Sequence, residues 1–174
     1  TERSILGVGG QGLKRREQLG SAVEPTALGF APERVWDAWL VWRKALVASR
    51  IAPFLLQAKN RSKIKPEALW EHDSAQGMSS AEFMQASATR SSFYQHLLTL
   101  FEKFDYLALP TTQVWPFAIE ERWPQQIATA NGTRSMDTYH RWMEGVIYAT
   151  FAGLPCISIP CGFSATGLPM GMQI

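Results

Sequence analysis

The stretch GLPCISIPCG, residues 153–162, is the most informative part of this sequence about its fold. It follows a segment with helical spacing of apolar residues, Asp137–Phe151, and a glycine placed just after such a segment is typical of a helix C-terminal cap. The next run, Leu154–Pro160, is apolar and has the length of a strand, and a second run, Leu168–Ile174, follows a glycine-rich turn. The stretch therefore predicts a helix, a strand, a turn and a further strand.

Upstream segments extend this pattern. Asp105–Leu109 is a short apolar run closed by Pro110, which is typical of a buried strand in a parallel or mixed sheet. Three helices are predicted before it: Glu33–Ile51, which ends before Pro53, Lys65–Glu71, and Ser79–Lys103. The third of these begins with a Ser/Glu capping box. Because helices alternate with short apolar strands, we expect the α/β class, with part of a mixed β-sheet flanked by helices.

A long segment without predicted secondary structure, Thr111–Arg134, separates the first strand from the fourth helix. Loops of this length in compact domains are usually functional or disordered, and the aromatic residues here favour order. Trp115 and Phe117 follow a strand end, where α/β proteins place ligand contacts. We therefore predict that these two residues bind substrate, whereas Trp36, Trp39 and Trp42 are interpreted as packing residues of one helix.

Composition limits the classes of function. A chain of 174 residues corresponds to one domain, and 17 Lys and Arg against 15 Asp and Glu give a net charge of +2, which indicates no nucleic-acid partner. The basic cluster Lys14–Arg16 is interpreted as a solvated turn or helix end. No apolar run reaches the length of a membrane span and no export signal is visible, so we expect no membrane partner and a cytoplasmic setting.

The histidines, serines and glutamates that could in principle be catalytic or metal-binding are interpreted as structural or surface residues. His72, His96 and His140 have no other ligand types at metal-binding spacing, so no metal and no cofactor is expected. Ser79 is interpreted as a helix cap and not as a nucleophile. The carboxylates Glu120, Glu121 and Glu144 are interpreted as solvated surface groups.

The glycine-rich N-terminal segment and the two cysteines are likewise predicted to have no ligand-binding or disulfide role. Gly7–Gly12 matches a phosphate-binding loop only in part, so residues 1–19 are expected to form an unassigned flexible segment. Cys156 and Cys161 lie five residues apart in an extended run, which puts their Cα atoms beyond disulfide reach. Both are expected to be free, buried thiols.

Three motifs in the last 70 residues resemble the amidase signature family. They are FDYLALPT at residues 104–111, the opening stretch GLPCISIPCG, and GLPMGMQI at residues 167–174. The helical middle and Tyr139–Met143 are also similar to bacterial members. The resemblance covers residues 20–174 and implies the C-terminal portion of an amidase-signature domain, incomplete without an N-terminal half.

The resemblance also implies a catalytic apparatus that this sequence does not contain. Members of the family use a serine nucleophile, a second serine and a buried lysine, and the serines lie in a Gly/Ser-rich segment of the N-terminal half. No such segment and no lysine in a matching context occurs here, so no residue of this chain is predicted to be catalytic. Because residue 174 falls inside a predicted strand, we expect the chain to be a fragment.

The resulting expectation is that the intact protein is an amidase, which hydrolyses a carboxylic amide to an acid and ammonia or an amine, and that this fragment is inactive alone. Its partners would be a small-molecule amide and either the missing N-terminal half or a second copy. Two alternatives stay open: the glutaminase subunit of a tRNA-dependent amidotransferase, and a non-catalytic scaffold derived from an amidase.

Overall fold

The computed structural model describes residues 1–174 and divides them into two units. Unit 1 comprises Thr1–Ala27 and Leu100–Ile174, and unit 2 comprises Leu28–Thr99. The predicted α/β class, with part of a sheet flanked by helices, is confirmed as helices plus small sheets, but the strand pairs are all antiparallel and not mixed. Unit 2 is entirely helical, and both sheets belong to unit 1.

Unit 2 is built from three α-helices and one short 3₁₀ helix. The elements are α2 (Pro32–Leu55), the 3₁₀ helix Ala58–Lys63, α3 (Pro66–Ser74) and α4 (Ser80–Phe101), whose last two residues already belong to unit 1. The prediction that Pro53 ends α2 is wrong, because the helix continues to Leu55. A proline this close to the end removes only one backbone hydrogen bond of the last turn.

The centre of unit 2 is aromatic, as the helical periodicity predicted. Trp36 and Phe93 are fully buried, and the Trp36 ring stacks on that of Trp39 at 5.1 Å between centroids. Trp42 packs against Phe83 at 4.9 Å. Arg43 donates from Nε to Oε1 of the fully buried Glu71 at 2.6 Å, which joins α2 to α3.

Unit 1 holds a three-stranded antiparallel sheet in the order β1–β5–β4, where β1 is Leu109–Pro110, β4 is Ser158–Phe163 and β5 is Pro169–Gln173. The strands from the opening stretch therefore exist, but β4 begins four residues later than predicted. The prediction of a buried strand over Asp105–Leu109 is wrong, since only Leu109–Pro110 pairs, antiparallel to β5, and Leu109 is 38% exposed.

Two further segments of unit 1 differ from prediction. The predicted loop contains an antiparallel hairpin of β2 (Gln126–Thr129) and β3 (Gly132–Ser135). The predicted helix Asp137–Phe151 is a 3₁₀ helix, Arg141–Val146, followed by the short α5, Ile147–Ala152. Gly153 ends α5 with φ +79°, so its predicted role as a C-terminal cap is confirmed.

An unpredicted helix, α1 (Arg3–Gln18), packs on the sheet of unit 1. Each of its glycines disfavours a helix by about 1 kcal/mol, which is why no helical signal was visible there in the sequence. The glycine at position 12 permits close packing, because a Cβ there would lie 2.5 Å from Sγ of Cys161 on β4 unless that side chain moved. Tertiary packing overrides local propensity in this segment.

Candidate functional site

The sheet of unit 1 provides a platform on which two hydroxyl groups meet. Thr111, just after β1, donates its backbone N–H to the carbonyl of Gly171 on β5 at 3.0 Å. Its Oγ1 lies 2.8 Å from Oγ of Ser158 on β4. A Cβ on Gly171 would come within 2.6 Å of the Thr111 hydroxyl and 2.8 Å of the Ser158 hydroxyl. Glycine at 171 therefore permits this pair of hydroxyl groups to form.

The predicted substrate residues lie in the segment that leaves this sheet, and both are half-buried. Trp115 donates from Nε1 to Oγ of Ser4 on α1 at 2.9 Å. The ring of Phe117 meets that of Trp142 edge to face at 5.3 Å. The structure thus places the indole of Trp115 against α1 and the ring of Phe117 against the 3₁₀ helix Arg141–Val146. Aromatic rings can contact apolar groups of a ligand.

A cluster of ionic side chains surrounds Glu144 in the same unit. Glu144 is buried, and its Oε2 lies 3.1 Å from Nη1 of Arg134 on β3 and 3.5 Å from Nη1 of Arg141. Nε of Arg141, which is also buried, lies 3.2 Å from Oδ1 of Asp137. The interpretation of Glu144 as a solvated group is wrong, because two guanidinium groups hold it inside unit 1.

Buried polar groups next to the cluster fix the backbone that carries it. His140 is fully buried, and its Nδ1 lies 2.8 Å from the hydroxyl of Thr138. Gln113 donates to the carbonyl of Arg141 at 2.8 Å. Gln173 of β5 donates to the carbonyls of Pro110 and Gly145, at 3.1 and 2.9 Å. The segment of residues 138–145 is therefore held to β5 by Gln173 and to the chain that follows β1 by Gln113.

The cysteines are free, as predicted, but only one of them is shielded. Cys156 is exposed, so the prediction of two buried thiols is wrong for it. Cys161 is half-buried beneath α1, and its Sγ donates to the carbonyl of Val8 at 3.4 Å. Burial raises the pKa of the Cys161 thiol above its ordinary value. A thiol held protonated in this way is a poor nucleophile.

The other groups singled out in the sequence have the following positions. Ser79 forms the predicted capping box, since its backbone N–H donates to Glu82 Oε2 at 2.8 Å and its Oγ accepts from the Glu82 N–H at 3.1 Å. No group of three His, Cys, Asp or Glu side chains lies close enough together to hold a metal ion. No helix has both the length and the apolar character needed to cross a membrane.

The ionic cluster was not predicted from the sequence, although one signal pointed to it. Arg141 and Glu144 are three residues apart, a spacing that places side chains on the same face of a helical turn. Arg134 joins them only because the hairpin β2–β3 returns the chain, and a hairpin of four-residue strands was not visible in the predicted loop. Chemically, the described residues offer aromatic rings that can contact an apolar group, and a buried ionic cluster in the same unit.

Comparisons with known proteins agree on one family. The model of the amidase family matches residues 42–174. Among curated proteins, a glutamyl-tRNA(Gln) amidotransferase subunit of Dehalococcoides mccartyi is 31% identical over 148 residues, 84% of this chain and 26% of that protein. Fatty acid amide hydrolase of Medicago truncatula is 31% identical over 99 residues, 57% of this chain and 16% of that protein.

Solved structures agree with this at the level of the fold. A bacterial aryl acylamidase of the amidase signature family superposes with a TM-score of 0.83 at 24% identity, over 99% of this chain and 36% of that one. The corresponding glutamyl-tRNA(Gln) amidotransferase subunit of Thermotoga maritima superposes with a TM-score of 0.64 at 25% identity, over 99% and 34%. The chain spans about a quarter of the length of the first curated relative and about a third of these solved structures.

Proposed function

This chain belongs to the amidase signature family, and we propose that it is the C-terminal portion of an amidase and supplies one wall of the substrate pocket. The complete enzyme would hydrolyse a carboxylic amide to the acid and ammonia or an amine. The observation that carries the proposal is the pair of half-buried rings, Trp115 and Phe117, in the segment that leaves the family's strand motif.

The geometry supports a wall that is rigid before substrate arrives. Phe117 rests on Trp142, and Trp142 is flanked by Arg141, whose guanidinium group lies against Glu144. A preorganised apolar surface binds a flat or apolar group without losing side-chain freedom. The substrate class that fits best is an aryl or otherwise apolar amide.

The chemistry itself would come from residues outside this chain. In the proposed enzyme a serine attacks the amide carbon, a neutral lysine accepts the proton through a second serine, and backbone amides hold the oxyanion. We propose that residues 20–174 act with an N-terminal half in the cytoplasm. The packing of α1 on β4 favours including residues 3–18 in the same domain.

A second candidate function is the glutaminase subunit of a tRNA-dependent amidotransferase. It is favoured by the 31% identity to the glutamyl-tRNA(Gln) amidotransferase subunit over 84% of this chain. In that case the substrate would be glutamine, and the partners would be the other subunits of the amidotransferase. A polar substrate makes little use of the aromatic wall, which is why we rank this candidate second.

The experiment that tests the proposal mixes this chain with an N-terminal half of an amidase-signature enzyme and measures ammonia or amine release. Aryl amides, alkyl amides and glutamine are compared as substrates. We expect turnover of the aryl amide in the mixture and none with either part alone. Turnover of glutamine only would select the second candidate, and a stable but inactive complex would select a non-catalytic scaffold.

The site residues are tested in the same mixture by Phe117→Ala. We expect KM for an aryl amide to rise about tenfold while kcat changes little, because the ring would bind ground state and transition state alike. Ile119→Ala is the matched control, since this apolar residue of the same segment is 94% exposed. An equal rise of KM in both variants would show that Phe117 does not line the substrate pocket.

A further inference from the structure

Helix α1 contacts the chain that follows β1 at two points near the start of the helix. The backbone N–H of Glu2 donates to the carbonyl of Gln113 at 2.9 Å. Two residues further along in both segments, Trp115 donates from Nε1 to Oγ of Ser4 at 2.9 Å. The first contact joins two main chains and the second joins two side chains, so only the second acts directly on the indole ring.

Packing on the sheet holds α1 in place, and with it the backbone of Ser4. Ile5, the next residue, is fully buried. Further along the helix, the carbonyl of Val8 accepts from Sγ of Cys161 on β4 at 3.4 Å, and Gly12 lets the helix approach the same side chain. The place of the Ser4 hydroxyl is therefore set by the packing of α1 on β4 and not only by the indole that it contacts.

The hydrogen bond to Ser4 fixes a degree of freedom that the backbone leaves open. The side chain of the buried Gln113 donates to the carbonyl of Arg141 at 2.8 Å, and Val114 is buried, which holds the main chain up to Trp115. The torsion that turns an indole plane is broad, so a fixed main chain does not determine it. Because Nε1 lies on the edge of the ring, its bond to Ser4 selects one orientation of that plane.

The same hydrogen bond occupies the polar group of the indole. A tryptophan side chain has one N–H donor and no acceptor, so an N–H that is engaged with Ser4 is not offered to a ligand. The rest of the half-buried ring of Trp115 is apolar. An aryl or alkyl group can pack on such a ring, whereas a polar group gains no hydrogen bond from it.

We propose that Ser4 is a positioning residue for Trp115 and favours apolar amides as substrates. It would hold the indole plane in one orientation and keep the N–H turned toward α1, so that Trp115 offers the substrate apolar contact only. The inference rests on the proposed function, because it requires that Trp115 touches the substrate. It also gives a role to residues 1–19, for which the sequence indicated only a flexible segment.

Nuclear magnetic resonance of the full chain tests the contact without depending on activity. The chain has seven tryptophans, and the indole N–H signal of Trp115 is the one that Trp115→Phe removes. We expect Ser4→Ala to shift this signal and to speed its exchange with water about two- to tenfold, as the loss of one neutral hydrogen bond implies. Ser4→Thr keeps a hydroxyl group and should restore the parent signal. Gln11→Ala, at an exposed position of α1, is the control and should leave the signal unchanged.

Kinetics in the mixture with an N-terminal half test the consequence for the substrate. We expect Ser4→Ala to raise KM for an aryl amide about two- to tenfold with little change in kcat, whereas Gln11→Ala should keep the parent values. Ser4→Thr should restore KM. In the Trp115→Phe background, which has no indole N–H, Ser4→Ala should have no further effect, because the two residues act through one bond. A merely structural role of Ser4 would lower activity in both backgrounds.

Three outcomes would overturn the positioning role while the proposed function stands, provided that the parent mixture hydrolyses the aryl amide. They are an unchanged Trp115 signal in Ser4→Ala, an unchanged KM in that variant, and an equal effect of Ser4→Ala with Trp or Phe at position 115. Absence of turnover in the parent mixture would overturn the proposed function, and the positioning role with it. Circular dichroism confirms that each variant is folded.

Discussion

The two units of this chain are stabilised in different ways. Unit 2 is made of helices that begin at local signals, such as the Ser79–Glu82 cap, and that pack through aromatic side chains. Unit 1 is built from segments far apart in the sequence, which meet in contacts such as Gly12 with Cys161 and Trp115 with Ser4. The residues proposed to bind substrate lie in unit 1, where local sequence patterns are less informative.

The largest expected effect comes from removing the carboxylate at the centre of unit 1. Glu144→Ala leaves Arg141 buried beside an empty space and should destabilise the chain by about 3–5 kcal/mol. Glu120→Ala, at an exposed position of the same unit, should change stability by less than about 0.5 kcal/mol. Urea unfolding measures both. Equal, small effects would show that the stability of unit 1 does not depend on this ionic cluster.

The next largest effect on stability is expected from two glycine substitutions in α1. Gly12→Ala forces a Cβ to within 2.5 Å of the Cys161 thiol and should cost about 1–3 kcal/mol. Gly10→Ala meets nothing within 4 Å and should stabilise the helix by about 0.5–1 kcal/mol. Thermal unfolding of the two variants is compared. Stabilisation by both would mean that α1 does not pack closely on β4.

A smaller effect is expected for the local contact of unit 2. Ser79→Ala removes the hydroxyl that accepts from the Glu82 N–H, and loss of such a cap costs about 1 kcal/mol. Ser91→Ala, at an exposed position inside α4, is the control and should be neutral or slightly stabilising, because alanine has the higher helix propensity. Helix content and urea unfolding are the measurements. A cost as large as that of Glu144→Ala would contradict the contrast between the units.

The smallest expected effect is a loss of stability at acidic pH. Hydrogen bonds from Arg61 and then His72 lower the pKa of Asp73, and hydrogen bonds from Ser79 lower the pKa of Glu82. Since folded-state pKa values are depressed, these groups stabilise the chain above their unfolded pKa values of about 4, and the stabilisation is lost as pH falls through the folded values.

We therefore expect stability to decline modestly below about pH 4, and to decline less in the D73N/E82Q variant. Unfolding followed by circular dichroism from neutral to acid pH measures the difference. If stability falls with pH in the same way in the variant and in the parent chain, Asp73 and Glu82 do not cause the acid dependence.

Secondary structure was predicted from the sequence more accurately in unit 2 than in unit 1. Helices α2 and α4 were predicted within a few residues because apolar spacing and a capping box act over one or two turns. The hairpin β2–β3 was missed because its strands have four residues each and a mostly polar sequence. Helix α1 was missed because its glycines disfavour a helix locally, and only packing on β4 explains the one at position 12.

The candidate site was predicted in part. Trp115 and Phe117 were selected from their position after a strand, and their role in binding stays a prediction. Glu144 was misassigned because the sequence does not show that Arg134 returns to it through a hairpin. A carboxylate is solvated or buried according to where its partners lie, and here the hairpin β2–β3 brings Arg134 back to Glu144.

Local sequence patterns were enough to establish the family, the helices of unit 2, and the turns and strand ends that the family motifs encode, because glycine, proline and apolar spacing act on the nearest residues. Two features became visible only in the folded chain: α1 is a helix, and Glu144 is buried between two arginines. Burial and charge pairing depend on which distant segments meet, and that is fixed only when the chain folds.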